Sequence, residues 1–143
     1  MLKKISTSAE ETKNFAKNIA KNLKTPQIIA LYGNLGSGKT TFVQGLASEL
    51  GITKRVLSPT FVFIREYQLD NKKMFFHVDL YRQDSSQDIT TIGLSDILKT
   101  KNAIIAIEWP EKIEKLLPSN TIKINFYTAG EKIRKITVLN PAN

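Results

Sequence analysis

The sequence contains no cysteine and only one histidine and one tryptophan among its 143 residues. Without cysteine there is no disulfide framework, no thiolate nucleophile and no cysteine-ligated zinc. Long hydrophobic runs are also missing, since none approaches the roughly 20 residues that a membrane-spanning helix needs. Two lysines among the first four residues make the start basic, as in a signal peptide, but polar residues follow where an apolar stretch would be required. We therefore expect a cytoplasmic protein with no membrane association.

Length and charge narrow the class further. A chain of 143 residues suits one domain, which we place over residues 1–143. Twenty-one lysine and arginine residues against 13 acidic residues give a formal net charge of +8. Such a charge favours polyanionic partners such as nucleotides or RNA, but a lysine-rich solvated surface explains it equally well.

Hydrophobic periodicity predicts alternating helices and strands. Ser8 and Glu11 have the spacing of a capping box at the start of a helix that runs to about Lys24, and Pro26 stops it. Further helices are predicted over 42–50 and 89–98, and strands over 27–32, 61–67, 74–79, 103–107, 121–127 and 134–139. The segments around Asp70 and Gly130 read as hairpin turns, so the sheet should be mixed.

A phosphate-binding motif lies between the strand 27–32 and the following helix. It matches the pattern G-x-x-x-x-G-K-[ST] at every fixed position. The nucleotide-binding residues that it predicts are Gly33, Asn34, Leu35, Gly36, Ser37, Gly38, Lys39, Thr40 and Thr41. Glycines let successive backbone N–H groups surround the phosphates, Lys39 is expected to reach the β and γ phosphates, and the Thr40 hydroxyl is a predicted Mg²⁺ ligand. The motif predicts an α/β fold, a single-domain P-loop NTPase with a mixed central sheet flanked by helices, that binds ATP with Mg²⁺.

Two acidic residues are candidates for completing the metal site and for catalysis. Glu108 ends the apolar run 104–107, as in a Walker B strand, and Asp79 ends the strand 74–79. Each could also be an ordinary residue at a strand end, and which of them binds metal directly stays open. Lys39 is the third predicted catalytic residue, through its contact with the γ-phosphate.

Several neighbouring residues permit two interpretations. Thr60, in 58–61, either senses the γ-phosphate or belongs to a proline turn. His77 is more typical of a packed, hydrogen-bonded histidine than of a catalyst, and Trp109 is more typical of core than of a stacking surface. Arg82 pairs either with phosphate or with Asp84.

Taken in order, these segments resemble the bacterial TsaE family. The resemblance rests on 33–41, on Ser-Pro-Thr-Phe at 58–61, on His-Val-Asp-Leu-Tyr-Arg at 77–82 and on Ile-Glu-Trp-Pro-Glu at 107–111. It implies an ATPase needed to form N6-threonylcarbamoyladenosine at position 37 of tRNAs that read codons beginning with A. It also implies TsaB and TsaD as partners, with any contact to tRNA indirect.

The resemblance also implies roles for individual residues. Lys39 and Thr40 would hold phosphate and Mg²⁺, Glu108 would complete the metal site, and Asp79 would assist with metal or water. Arg134 and the backbone near Ser8 would touch the nucleotide. Hydrolysis is expected to be slow until a partner stimulates it. The alternatives are a small-molecule kinase and a nucleotide-dependent scaffold without significant hydrolysis.

Overall fold

The computed structural model describes residues 1–54, 56, 63–83 and 93–141. In chain order these form strands and helices with the following bounds: β1 Leu2–Ser6, α1 Ala9–Ala20, β2 Gln27–Tyr32, α2 Lys39–Glu49, β3 Ile64–Gln68, β4 Met74–Asp79, α3 Leu94–Leu98, β5 Ala103–Glu108, β6 Ile122–Thr128 and β7 Arg134–Leu139. Short 3₁₀ segments cover Asp70–Lys72 and Pro110–Leu116. None of the helices in these ranges is long and apolar enough to span a membrane.

One seven-stranded sheet organises the chain, in the order β1-β7-β6-β2-β5-β4-β3. The four central strands β6, β2, β5 and β4 run parallel to one another, while β7 and β1 on one side and β3 on the other pair antiparallel with their neighbours. The predicted mixed sheet is therefore confirmed. Parallel strands end at one common edge, so the ends of β2, β4 and β5 bring their following residues together.

Alternating side chains of the central strands build two core layers. Ile29 and Leu31 face the layer formed with α1 and α2, while Ile28 faces the opposite layer. The second layer receives Leu94 from α3 and Ile113 from the segment Pro110–Leu116. The central strands are thus covered on both faces, which explains why β5 is buried along its whole length.

Helix α1 begins as predicted but ends earlier. The Ser8 hydroxyl accepts from the Glu11 backbone N–H at 3.1 Å, whereas the Glu11 carboxylate accepts from the backbone N–H and hydroxyl of Thr7, one residue before the expected partner. The prediction that this helix runs to Lys24 was wrong. It ends at Ala20. The backbone N–H groups of Asn22 and Leu23 donate to carbonyl oxygens three residues earlier, those of Ile19 and Ala20, instead of four residues earlier as in an α-helix.

Strand β1 was not predicted. Its residues Leu2, Lys3, Lys4 and Ile5 are exposed, so no buried/exposed alternation marks the segment. It is an edge strand that pairs only with β7, more than 120 residues away in sequence. The hairpins β3–β4 and β6–β7 are confirmed. The predicted strand 61–67 and the predicted helix 89–98 lie partly outside the described residues, at 61–62 and 89–92.

Helices α1 and α2 pack closely at Gly45. A Cβ atom there would lie 2.5 Å from the Lys13 carbonyl oxygen and 2.8 Å from the Ala16 Cβ. Gly45→Ala should therefore lower the free energy of unfolding by about 1–3 kcal/mol, although alanine is intrinsically better in helices by about 1 kcal/mol. Denaturant unfolding measures the change. The control Ser48→Ala, at an exposed position of the same helix, should alter stability by no more than about 0.5 kcal/mol; equal stability of both variants would contradict the close packing.

Candidate nucleotide-binding site

The glycine-rich loop connects β2 to α2 as the motif predicts. Gly38 has φ of 103° and stands as the N-cap of α2, without any side-chain cap. Gly33 has φ of 154°, and a Cβ atom there would lie 2.6 Å from the Ser37 hydroxyl and 2.9 Å from the Phe126 carbonyl oxygen. Only glycine fits that approach. The first N–H groups of α2 have no intrahelical acceptor and therefore favour an anion in front of the helix.

Lys39 is folded back onto its own loop. Its Nζ donates to the carbonyl oxygens of Gly33 and Asn34, the latter at 3.2 Å. The ammonium also lies 4.0 Å from the centre of the Trp109 ring. Burial lowers the pKa of Lys39, and the negative charges of Glu108, Glu111 and Asp79 oppose that shift. The Lys39 ammonium thus lies beside carbonyl dipoles and an aromatic face. In the part of the chain that the structure describes, it forms no ion pair with a carboxylate.

Glu108 joins three elements at the edge of the sheet. Thr40 Oγ donates toward both carboxylate oxygens of Glu108, each at 3.1 Å. His77 Nε2 lies 2.6 Å from Glu108 Oε2, and both side chains are buried. The His77 hydrogen bond is the packed role favoured by the sequence, with the carboxylate as its partner. Because Thr40 lies in the first turn of α2 and Glu108 ends β5, two of the three predicted metal ligands are next to one another.

Asp79 occupies the corresponding position on the neighbouring strand. It is the register partner of Glu108 in the parallel pair β4–β5. Its Oδ1 accepts from the Tyr81 backbone N–H at 3.0 Å, which stabilises the turn after β4. Asp79 therefore both caps the turn after β4 and lines the same cavity as Glu108.

A cavity of about 820 Å³ opens in front of the loop. Of the predicted site residues, those that line it are Leu35, Gly36, Ser37, Gly38, Lys39, Thr40, Thr41, Asp79, Glu108 and Arg134. Gly33 and Asn34 do not line the cavity, and their carbonyl groups instead accept from Lys39. The Ser37 hydroxyl is buried and has no hydrogen-bond partner among the described residues. A buried polar group of this kind needs an acceptor or donor, which an anion in the loop would provide.

Arg134 links the β6–β7 hairpin to the glycine loop. Its guanidinium donates to the Gly36 carbonyl oxygen at 3.2 Å and to carbonyl groups of its own turn, including Gly130 at 3.1 Å. Ser8 and the start of α1 lie on the cavity wall as well. Arg134 and the start of α1, which the family resemblance associates with the nucleotide, therefore lie next to the loop.

Other cavity residues were missed or left undecided by the sequence. Trp109 is partly buried, packs on the second core layer and also lines the cavity, so both of its interpretations apply. Its ring lies 4.9 Å from that of Tyr81, which was not predicted for the site. Thr12 and Lys132 were also missed, since neither belongs to a motif. Thr60 and its segment 58–61 lie outside the described residues.

The small number of oxygen ligands at the site suits Mg²⁺ that is bound together with a nucleotide. Across the described ranges, the structure contains no group of three or more histidine, aspartate or glutamate side chains able to hold a metal ion. Thr40 and Glu108, with Asp79 nearby, supply few protein ligands. Mg²⁺ is normally bound in this way, by one or two protein oxygens together with phosphate and water.

Comparisons with known proteins agree with this geometry. The family model described as "Threonylcarbamoyl adenosine biosynthesis protein TsaE" matches residues 6–136. The chain is 40% identical over 137 residues to the tRNA threonylcarbamoyladenosine biosynthesis protein TsaE of Bacillus subtilis, covering 95% of this chain and 84% of that one. It is 33% identical to the Treponema pallidum protein of the same name, covering 94% and 97%. The crystal structure of Bacillus subtilis YdiB superposes with a TM-score of 0.78 at 34% identity, covering 99% and 86%. The chain therefore belongs to the TsaE family.

Proposed function

We propose that this chain binds ATP with Mg²⁺ and hydrolyses it, and that this activity is required to form N6-threonylcarbamoyladenosine at position 37 of tRNAs reading codons that begin with A. TsaB and TsaD are the proposed partners. The family membership supports the tRNA modification, because the relatives carry that function in their names. The contacts among the site residues support the proposed ATP hydrolysis.

The contact between Thr40 and Glu108 is the observation that carries the ATPase proposal. A hydroxyl and a carboxylate lie together beside the glycine-rich loop, where they would hold Mg²⁺; the metal would neutralise charge on the phosphates during hydrolysis. His77 contacts one oxygen of the same carboxylate and helps to fix its position. Asp79, at the end of the next strand, is the proposed group for a second metal contact or for orienting water.

Lys39 would release its intraloop bonds when phosphate enters. The carbonyl groups of Gly33 and Asn34 are neutral acceptors, whereas phosphate oxygens carry charge and make the stronger bond with an ammonium. The Lys39 side chain would then leave the face of the Trp109 ring. The loop therefore exchanges internal contacts for ligand contacts instead of ordering a free side chain.

A reconstituted modification assay tests the proposal. Purified TsaB, TsaD, tRNA and a threonylcarbamoyl donor are incubated with ATP, with and without this chain, and modified nucleoside and inorganic phosphate are measured. We expect sustained modification only with the chain, accompanied by phosphate release. Phosphate transferred to an added acceptor would indicate a kinase. Sustained modification without ATP turnover would indicate a scaffold.

Trp109 provides a direct optical prediction, because it is the only tryptophan in the chain. Adding ATP and MgCl₂ should change its fluorescence emission in a saturable manner, since Lys39 moves from the ring face to the phosphates. A fluorescence titration measures this. The variant Lys39→Met, which has no cation to move, should show little change. Unchanged emission of the original protein, at ATP concentrations that saturate calorimetric binding, would contradict the movement.

A further inference from the structure

One half of the sheet has an open face. Among the described residues, helices α1 and α2 cover the first face of the sheet, while α3 and the segment Pro110–Leu116 cover the second face near β2, β5, β4 and β3. The strands β1, β7 and β6 therefore present outward-pointing side chains on that second face. Tyr127 is 65% exposed and Ile5 is 59% exposed there.

The register arranges this open face in rows. Ile5 is opposite Lys135, and Lys135 is opposite Tyr127, so these three residues form one row across the strands. Two residues along, Lys3 is opposite Thr137. Side chains two apart share a face of the sheet, so the rows lie about 7 Å apart on strands spaced about 5 Å. The intervening residues of β6 and β7 point inward and are buried in the first core layer.

The charge of these three strands has one sign. They contain no aspartate or glutamate, and the basic residues that they place on the open face are Lys3, Lys123 and Lys135, whereas Lys4 and Arg134 lie on the opposite face. Lys123, at the inner boundary of the open face, is paired with Glu114 at 2.6 Å. Lys135 lies 5.9 Å from the centre of the Tyr127 ring. The outer part of the face therefore combines an accessible aromatic ring with two lysines, Lys3 and Lys135, that form no ion pair within the described ranges.

We propose that this open face binds single-stranded RNA, with a base stacked on Tyr127 and the neighbouring phosphates contacted by Lys135 and Lys3. Stacking on an aromatic ring tolerates any base, because every base has a π face, and lysines add a salt-dependent attraction to phosphate. A protein partner is the less suitable occupant, because lysine is depleted at the centre of protein interfaces. The proposal concerns a second ligand, so it does not depend on ATP binding or turnover.

Fluorescence anisotropy with a fluorescein-labelled 12-nucleotide RNA of mixed sequence tests this surface in the full chain. At low salt, Tyr127→Ala should weaken binding at least about tenfold, whereas Tyr127→Phe, which keeps the ring, should stay within about twofold. Lys135→Ala should weaken binding by a smaller factor and reduce the slope of log affinity against log salt by about one. The control Lys101→Ala, at an exposed position before β5, should leave binding unchanged.

Three results would overturn the proposal. One is the absence of RNA binding at low salt, and another is equal binding by Tyr127→Ala and the original protein. The third is an equal loss in Lys101→Ala and Lys135→Ala, which would indicate diffuse charge attraction alone. If Tyr127→Ala keeps RNA affinity but no longer co-elutes with TsaB and TsaD, the face binds protein instead. Circular dichroism establishes that each variant is folded, and ATP affinity, measured in parallel, should be the same in all of them.

Discussion

Replacing Lys39 by alanine should nearly abolish ATP binding, with a loss of affinity of at least about 100-fold. The Lys39 Nζ atom lies within the glycine-rich loop, where it donates to the carbonyl oxygens of Gly33 and Asn34. It is therefore placed to donate to a phosphate that enters the loop. Each charge-assisted hydrogen bond to phosphate contributes about 1.5–3 kcal/mol, and about 1.4 kcal/mol corresponds to a tenfold change in affinity. Isothermal calorimetry with ATP and MgCl₂ measures the loss.

Controls for Lys39 separate charge from packing. Lys39→Met keeps an apolar stem beneath Trp109 and should lose affinity like the alanine variant, although it retains more of the packing. Lys101→Ala removes the same charge from an exposed position and should bind ATP within about twofold of the original protein. Near-normal ATP affinity in a folded Lys39→Met variant would remove Lys39 from the phosphate site.

Glu108→Gln should reduce ATP hydrolysis by at least about 100-fold while changing ATP affinity by less than about tenfold. The amide keeps the size of the side chain and an oxygen for the Thr40 hydroxyl, but it removes the charge that would bind Mg²⁺ and support the attacking water. Residues that position or deprotonate a nucleophile typically contribute factors of 10²–10⁴. Phosphate release under saturating ATP, measured with TsaB and TsaD present, reports the effect.

The matched control is Glu111→Gln. Glu111 is exposed and acts on Lys39 only through its charge, without a direct contact to Thr40 or Glu108. This variant should hydrolyse ATP at a rate within about threefold of the original protein. Equal losses in the two variants would mean that only the negative potential around Lys39 matters, which contradicts a specific role for Glu108.

Local patterns predicted the parts of the site that lie close together in sequence. The loop between β2 and α2 follows from the motif, because its glycines serve backbone geometry and its lysine and threonine serve phosphate and metal. The end of β5 at Glu108 follows from a buried apolar run that ends in an acid. That Glu108 and Asp79 are neighbours required the parallel pairing of β4 and β5, which the strand positions alone do not specify.

Contacts made across the sheet could not be read from the sequence. The bond between His77 and Glu108 depends on strand order and on the direction of two inward side chains. The approach of Arg134 to Gly36 depends on β6 lying beside β2, since this places the final hairpin next to the loop. The position of Trp109 over Lys39 depends on a left-handed backbone conformation, with φ of 61°, directly after β5. Strand β1 has no periodic signal because an edge strand exposes both faces.

The position of the site explains how a proposed partner would respond to the nucleotide state. Thr40 near the start of α2, Asp79 at the end of β4 and Glu108 at the end of β5 would each contact the metal–phosphate group, so the nucleotide state would affect three elements at once. Arg134 extends this connection to the β6–β7 hairpin. A partner that contacts the rim of the cavity would respond to ATP and to its hydrolysis, and differential affinity for the two states is the thermodynamic requirement for such control.

Whether the glycine-rich loop binds ATP with Mg²⁺ is decided by calorimetric titration of the purified chain with ATP in the presence of MgCl₂. We expect a saturable heat with one ATP per chain, which disappears in Lys39→Met and weakens when Mg²⁺ is chelated. No detectable uptake of ATP by the folded protein, alone or mixed with TsaB and TsaD, would contradict it.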